Sequence, residues 1–135
     1  MATTHKLIIG NCMVMEEILD VTIHLMVTSP PYYNAPFDYK GLYKTYDQYL
    51  DVLQCFAKET YRVLQEGRIA VLNIDDMLIN GEKFPIVADA IKIFQEAGFR
   101  YRDRIIWKKP DGYLRISRRS GVIQNPYPKY FYPDN

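Results

Sequence analysis

Apolar positions along the chain follow two periods. Short apolar, β-branched runs at His5–Ile9, Thr22–Val27, Arg68–Ile74 and Phe99–Trp107 predict strands. Between them apolar residues recur at helical spacing. Cys12–Leu19 predicts a short helix after the break at Gly10-Asn11. Tyr49, Leu50, Leu53, Phe56, Ala57, Thr60, Tyr61 and Leu64 predict a long one, with Thr45 as N-cap, Gln48 completing a capping box, and Gly67 as its end. A loop through Asn80-Gly81 leads to a third helix from Pro85 to Ala97, closed by Gly98. The run Arg68–Ile74 is almost continuously apolar, as in a parallel strand buried on both faces. Strands separated by helices predict an α/β fold with a mostly parallel sheet and helical crossovers.

Regularity fails beyond Lys108. Lys109-Pro110-Asp111-Gly112 is a turn, and residues 113–135 are rich in Arg, Tyr and Pro without a period. We therefore expect one body over residues 1–110 and a basic Tyr/Pro-rich extension of the same domain over residues 111–135.

Composition narrows the class. With 135 residues, 48% hydrophobic and 24% charged, the chain reads as globular. No apolar run approaches a membrane span, and residues 1–20 do not resemble a signal peptide. Cys12 and Cys55 lack metal-ligand spacing and read as small core hydrophobes in a reducing cytosol, so a cytoplasmic location is expected. Net charge is +1, yet residues 100–135 carry +6 and residues 1–99 carry −5. That asymmetry suits a polyanion partner, or an electrostatic balance within one fold. Tyrosine is abundant: twelve in all.

The chemistry centres on Thr28-Ser29-Pro30-Pro31-Tyr32, directly after an apolar strand. In open α/β sheets ligands bind at the carboxyl ends of strands. The pattern resembles the catalytic signature of DNA amino-methyltransferases, which methylate the exocyclic nitrogen of cytosine or adenine. Further segments share the resemblance: Leu7-Ile8-Ile9-Gly10-Asn11-Cys12, Tyr61–Gly67 with Ile69–Ile74, and Phe84–Phe99 with Ile105–Pro110. Together they span Lys6 to Asn135. The resemblance implies a partial Rossmann-like methyltransferase sheet, of the class in which the catalytic motif precedes the cofactor motif. It implies Ser29, Pro30, Pro31 and Tyr32 as catalytic residues, S-adenosylmethionine as cofactor and duplex DNA as partner. Serine at the first motif position is more like the cytosine-N4 branch than the adenine-N6 branch.

Those residue types suit the reaction. The lone pair of an exocyclic amino group is delocalised into its ring. Acceptors for its hydrogens return density to nitrogen, and the Ser29 hydroxyl and the Ser29 or Pro30 carbonyl can serve. Pro30 and Pro31 fix φ and hold those acceptors still. Tyr32 can stack on an extruded base.

Other residues carry two readings. Asn11 stands where the family offers a polar side chain to the adenine of S-adenosylmethionine, and it equally suits an N-cap. Asp75-Asp76 could touch the base or a sugar, or cap a turn or helix. His5 and His24 have no partner spacing, and His24 reads as a satisfied structural histidine. Lys108, Lys109, Arg115, Arg118 and Arg119, interleaved with Tyr113 and Tyr127, suit phosphate contacts or a solvated loop.

The family's Phe-x-Gly-x-Gly cofactor loop has no counterpart: none of the seven glycines pairs as Gly-x-Gly. The chain thus reads as a fold truncated before that motif, inactive alone and binding S-adenosylmethionine weakly. Its uncovered sheet would associate with a second copy or a complementary C-terminal half. The rival readings are a non-enzymatic DNA-binding or assembly module and a protein amide methyltransferase.

Overall fold

The computed structural model describes residues 2–35 and 41–108. Two compact units divide the chain, residues 1–102 and 103–135. In the first, strand β1 (Ile23–Thr28) pairs in parallel with strand β2 (Leu64–Leu72). Helix α1 (Tyr46–Val63) lies between them in sequence, so the expected parallel, helix-connected arrangement is present. A hairpin of β3 (Met77–Ile79) and β4 (Glu82–Phe84) precedes helix α2 (Ile86–Glu96).

The start of α1 follows its local sequence. The Thr45 hydroxyl accepts the Gln48 N–H at 3.2 Å, and the Gln48 side chain accepts the Lys44 N–H at 3.0 Å. Its end does not. The helix stops at Val63, before Gly67, and the chain passes directly into β2. The carbonyls that a glycine cap would satisfy are met instead by the preceding segment: Val21 N–H donates to Arg62 O at 3.0 Å and Thr22 N–H to Val63 O at 2.9 Å. Gly67 (φ 74°) sits where β2 advances from Leu64 to Ile69 while β1 advances only from Ile23 to Leu25.

At Asn80-Gly81 the chain forms a two-residue hairpin rather than a plain loop. Both residues are left-handed (φ 49° and 84°), as a type I′ turn requires. Helix α2 ends in a Schellman motif. Gly98 N–H donates to Gln95 O and Phe99 N–H to Phe94 O, each at 3.0 Å, with Gly98 at φ 113°.

Between α1 and α2 lies the core: Tyr33, Tyr49, Leu53, Phe56, Ala57, Ile86, Ala90, Ile93 and Phe94. Met26, Leu72 and Ile74 pack against it from the sheet. The register sets Met26 beside Ala70 and Thr28 beside Leu72, so these line the covered face. On the other face Leu25 sits beside Ile69 and Val27 beside Val71, exposed by 58, 46, 66 and 41%. The expected burial on both faces is therefore corrected to one face.

Further expectations are corrected. His5–Ile9 forms no strand, and Leu7 and Ile9 stand exposed with no neighbouring strand among the described residues. Cys12–Leu19 forms isolated turns, closed by Val14 N–H to Asn11 O and Ile18 N–H to Met15 O, rather than a helix. The polar groups a helical ladder would need are occupied: Met15 O and Ile18 O accept from Arg62, and Met15 N–H donates to Glu59. Phe99–Lys108 forms no strand, and Ile105, Ile106 and Trp107 of the second unit are exposed. Both cysteines are exposed free thiols rather than core residues, and His24 is exposed within β1. No described helix is long and apolar enough to cross a membrane.

Candidate active site

The parallel pairing of β1 and β2 continues one step past the strands, where Asn73 N–H donates to Thr28 O at 2.8 Å. Ser29 follows at once, exposed at the carboxyl edge of the sheet. Pro30 is buried, Pro31 and Tyr32 are half-buried, and Tyr33 is buried. The Ser-Pro-Pro-Tyr corner thus has an open hydroxyl, a partly open aromatic face and a proline anchored beneath them.

Below the corner lies a cluster of rings. Tyr33 sits edge-on to Phe84 at 4.8 Å and to Tyr46 at 5.2 Å between centroids, with Tyr49 at 5.7 Å. The Tyr46 hydroxyl donates to Asp89 Oδ2 at 2.8 Å. Burial, then the Asp89 carboxylate, pushes the Tyr46 phenol far above its ordinary range. Burial and the neighbouring phenols Tyr43 and Tyr32 do the same to Tyr49. Both phenols stay protonated at any working pH, so they are packing groups and not bases.

Asp76 Oδ1 accepts the Val87 N–H at 3.0 Å, capping α2 from outside that helix. Asp75 Oδ1 accepts the Asp76 N–H. The helix-capping reading of Asp76 therefore holds. Asn11 is exposed, and its Oδ1 accepts the Met13 N–H at 3.0 Å, closing a turn. Lys108 is exposed in the second unit. Lys109, Arg115, Arg118 and Arg119 lie outside the described residues.

Beside β1 runs an apolar groove of about 300 Å³. Phe56, Thr60 and Val63 of α1 line it together with Met15 and Ile18. The Thr60 hydroxyl is fully buried and has no hydrogen-bond partner.

Two features, one at the amino end of β1 and one beside the corner, had no local signal in the sequence. Arg62 uses its whole guanidinium to tie the segment before β1 to α1. It donates to Glu59 at 2.9 and 3.0 Å, to Met15 O at 2.9 Å, to Ile18 O at 3.0 Å and to Asp20. Its spacing from Glu59 is visible on a helix, but the partners 42–47 residues away are not. Asn34 pairs with the backbone of Tyr43 through both ends of its amide, at 2.7 and 2.8 Å.

The parallel pair with the Ser-Pro-Pro-Tyr corner at its carboxyl edge agrees with the fold of the DNA methylases. The family model for DNA methylase of the N6/N4 kind matches residues 23–134, and the chain belongs to that family. It is 33% identical to the type II methyltransferase M.MjaI of Methanocaldococcus jannaschii over 90% of this chain and 50% of that protein. It is 31% identical to the type II beta methyltransferase M.BslI of Bacillus sp. (strain NEB-606), over 92% of this chain and 15% of that protein. Among solved structures it is similar to TTHA0409 of Thermus thermophilus, a candidate DNA modification methylase. The selenomethionine form matches with a TM-score of 0.61 and 30% identity, over 78% of this chain and 44% of that one. A form complexed with S-adenosyl-L-methionine matches with a TM-score of 0.58 and 26% identity, over 74% and 49%. The chain spans half or less of the length of each of these relatives.

Among the described residues, Asn11 is the one the resemblance implies as a contact to S-adenosylmethionine. The Asn11 oxygen is already bonded within its own turn, and the sequence has no Gly-x-Gly pair.

Proposed function

We propose that this chain supplies the base-holding part of an S-adenosylmethionine-dependent DNA amino-methyltransferase, acting on cytosine N4 in preference to adenine N6. The observation that carries this is the build of the corner: an exposed Ser29 and half-open Tyr32 on a buried Pro30, at the carboxyl edge of a parallel pair. The Ser29 hydroxyl accepts one amino hydrogen and the Ser29 or Pro30 carbonyl accepts the other. Pro31 keeps both acceptors in place, and Tyr32 stacks on the extruded ring for about 1–3 kcal/mol. Positioning and fixed dipoles, rather than a strong base, lower the barrier. The neighbouring phenols, held protonated, fit that economy. S-adenosylmethionine supplies the methyl group, with Asn11 the candidate contact to its adenine end.

The outer face of β1 and β2, uncovered by the described residues, is where a second copy or a complementary C-terminal half packs, together with the groove beside β1. Lys108, Lys109, Arg115, Arg118 and Arg119 meet DNA phosphates, which orient the protein without reading sequence. Bound within the Met13 turn, the Asn11 oxygen favours one alternative, a non-enzymatic DNA-binding module that keeps the fold.

One assay separates the two. The chain is mixed with a candidate C-terminal half, methyl-labelled S-adenosylmethionine and duplex DNA, and the nucleosides are then separated. Label on N4-methylcytosine, lost in Ser29→Ala and Tyr32→Ala, is the expected result. Label on N6-methyladenine corrects the base. DNA binding without label, indifferent to both substitutions, replaces the enzyme with the module.

A further inference from the structure

Asn34 lies two residues beyond the corner and belongs to none of the roles above. Its Oδ1 accepts the Tyr43 N–H at 2.8 Å, and its Nδ2 donates to Tyr43 O at 2.7 Å. One side-chain amide thereby does what a neighbouring strand would do, closing the chain between residues 34 and 43. Its backbone is left-handed, with φ 41°. Asparagine is among the few L residues that accept this conformation readily. Glycine accepts it too but brings no amide. Aspartate accepts it and keeps the acceptor, but loses the donor.

The turn at Asn34 separates two adjacent tyrosines. Tyr33 is driven into the ring cluster, 7% exposed and 4.8 Å from Phe84. Tyr32 stays half-open beside Ser29. Pro30 and Pro31 fix φ at two positions only, and ψ and everything after Tyr32 need another restraint. The turn bond from Ala35 N–H to Tyr32 O, at 3.4 Å, is one restraint, and the pairing with Tyr43 is the stronger one.

We propose that Asn34 is a positioning residue: by clamping Tyr43 it locks the Ser29–Tyr32 corner in the form that receives a base. The inference rests on the base-holding reading of that corner. It predicts that the clamp is felt at Tyr32, not only in overall stability.

The test compares wild type, Asn34→Ala and Asn34→Asp by amide hydrogen exchange and by NMR titration with deoxycytidine and deoxyadenosine. In Asn34→Ala, exchange at the Ala35 amide, which donates to Tyr32 O, and at the Tyr43 amide should rise about tenfold or more while α1 stays protected. The nucleoside-induced shift of the Tyr32 ring should be lost with it. Asn34→Asp, which retains one of the two bonds, should fall between. Unchanged exchange at Ala35 overturns the inference. So does raised exchange with the nucleoside shift intact. If wild type itself shows no nucleoside shift, the base-holding reading fails, and the exchange result alone then decides whether Asn34 holds the corner. Should Asn34→Ala not fold, Asn34→Asp carries the same comparison.

Discussion

The two faces of the β1–β2 pair are built from similar residues and have different surroundings. Met26, Ala70 and Leu72 face α1 and α2, whereas Leu25, Val27, Ile69 and Val71 face outward. An antiparallel sheet with a wet face would alternate apolar and polar residues there. This one is apolar on both sides, so its outer face is chemically a core surface without its cover. Strand composition alone therefore does not tell which face of the pair the described residues cover.

Substitutions on the two sides probe that contrast. The strongest response belongs to the covered side. Leu53 is 1% exposed, and Leu53→Ala should cost roughly 3 kcal/mol in urea denaturation. A cost below about 1 kcal/mol would mean that the covered side is not the packed one. Next comes the tie at the end of α1. Arg62→Ala frees Met15 O, Ile18 O, Asp20 and Glu59 together. Hydrogen exchange at the Val21 and Thr22 amides should rise about tenfold or more. Protection equal to wild type would show that the backbone bonds to Arg62 O and Val63 O suffice alone.

The same tie has a pH signature. Hydrogen bonding to Arg62, and to the Met15 N–H, holds the Glu59 carboxyl down at about 2. A carboxylate depressed in the folded state stabilises above its ordinary value, and that stability is lost as pH falls toward the folded one. The stability advantage of wild type over Glu59→Gln should therefore shrink between about pH 4.5 and pH 2 in acid titration. An advantage independent of pH would remove the ion pair from the explanation.

Weaker responses test the groove and the bare face. Thr60→Val replaces a buried hydroxyl that has no partner, and should be neutral or stabilising by up to about 1 kcal/mol by thermal melting. Clear destabilisation would reveal an acceptor for that hydroxyl in solution. On the bare face, Val27→Ser should change stability by less than about 0.5 kcal/mol. It should also weaken any self-association measured by sedimentation. A loss as large as that of Leu53→Ala would mean that the face is covered by the chain itself.

Much of the fold was legible in the sequence where local chemistry decides it. Thr45 and Gln48 announce the start of α1, and Pro85 and Gly98 bracket α2. Thr22–Val27 and Arg68–Ile74 announce the parallel pair, with bounds shifted by long-range pairing. Two of the misses share one cause. Cys12–Leu19 has helical spacing, but Arg62 and Glu59 claim its backbone groups from far along the chain. Gly67 looks like a helix end, but Val21 and Thr22 satisfy those carbonyls earlier. The hairpin strands, three residues each, are too short to show a period. At the site, the order Ser-Pro-Pro-Tyr after a strand placed the corner correctly. The partner of Asn34 lies nine residues away with no motif to mark it.

Gly98 shows how little latitude one joint leaves to the chain. A β-carbon there would meet the Tyr61 ring at 2.8 Å, and its φ of 113° is hostile to L side chains. The half-exposed Tyr61 ring can turn away from that contact, but the backbone angle remains strained for every other amino acid. It is this angle that reserves the joint for glycine, and any reshaping of the helix beside it must leave this position untouched.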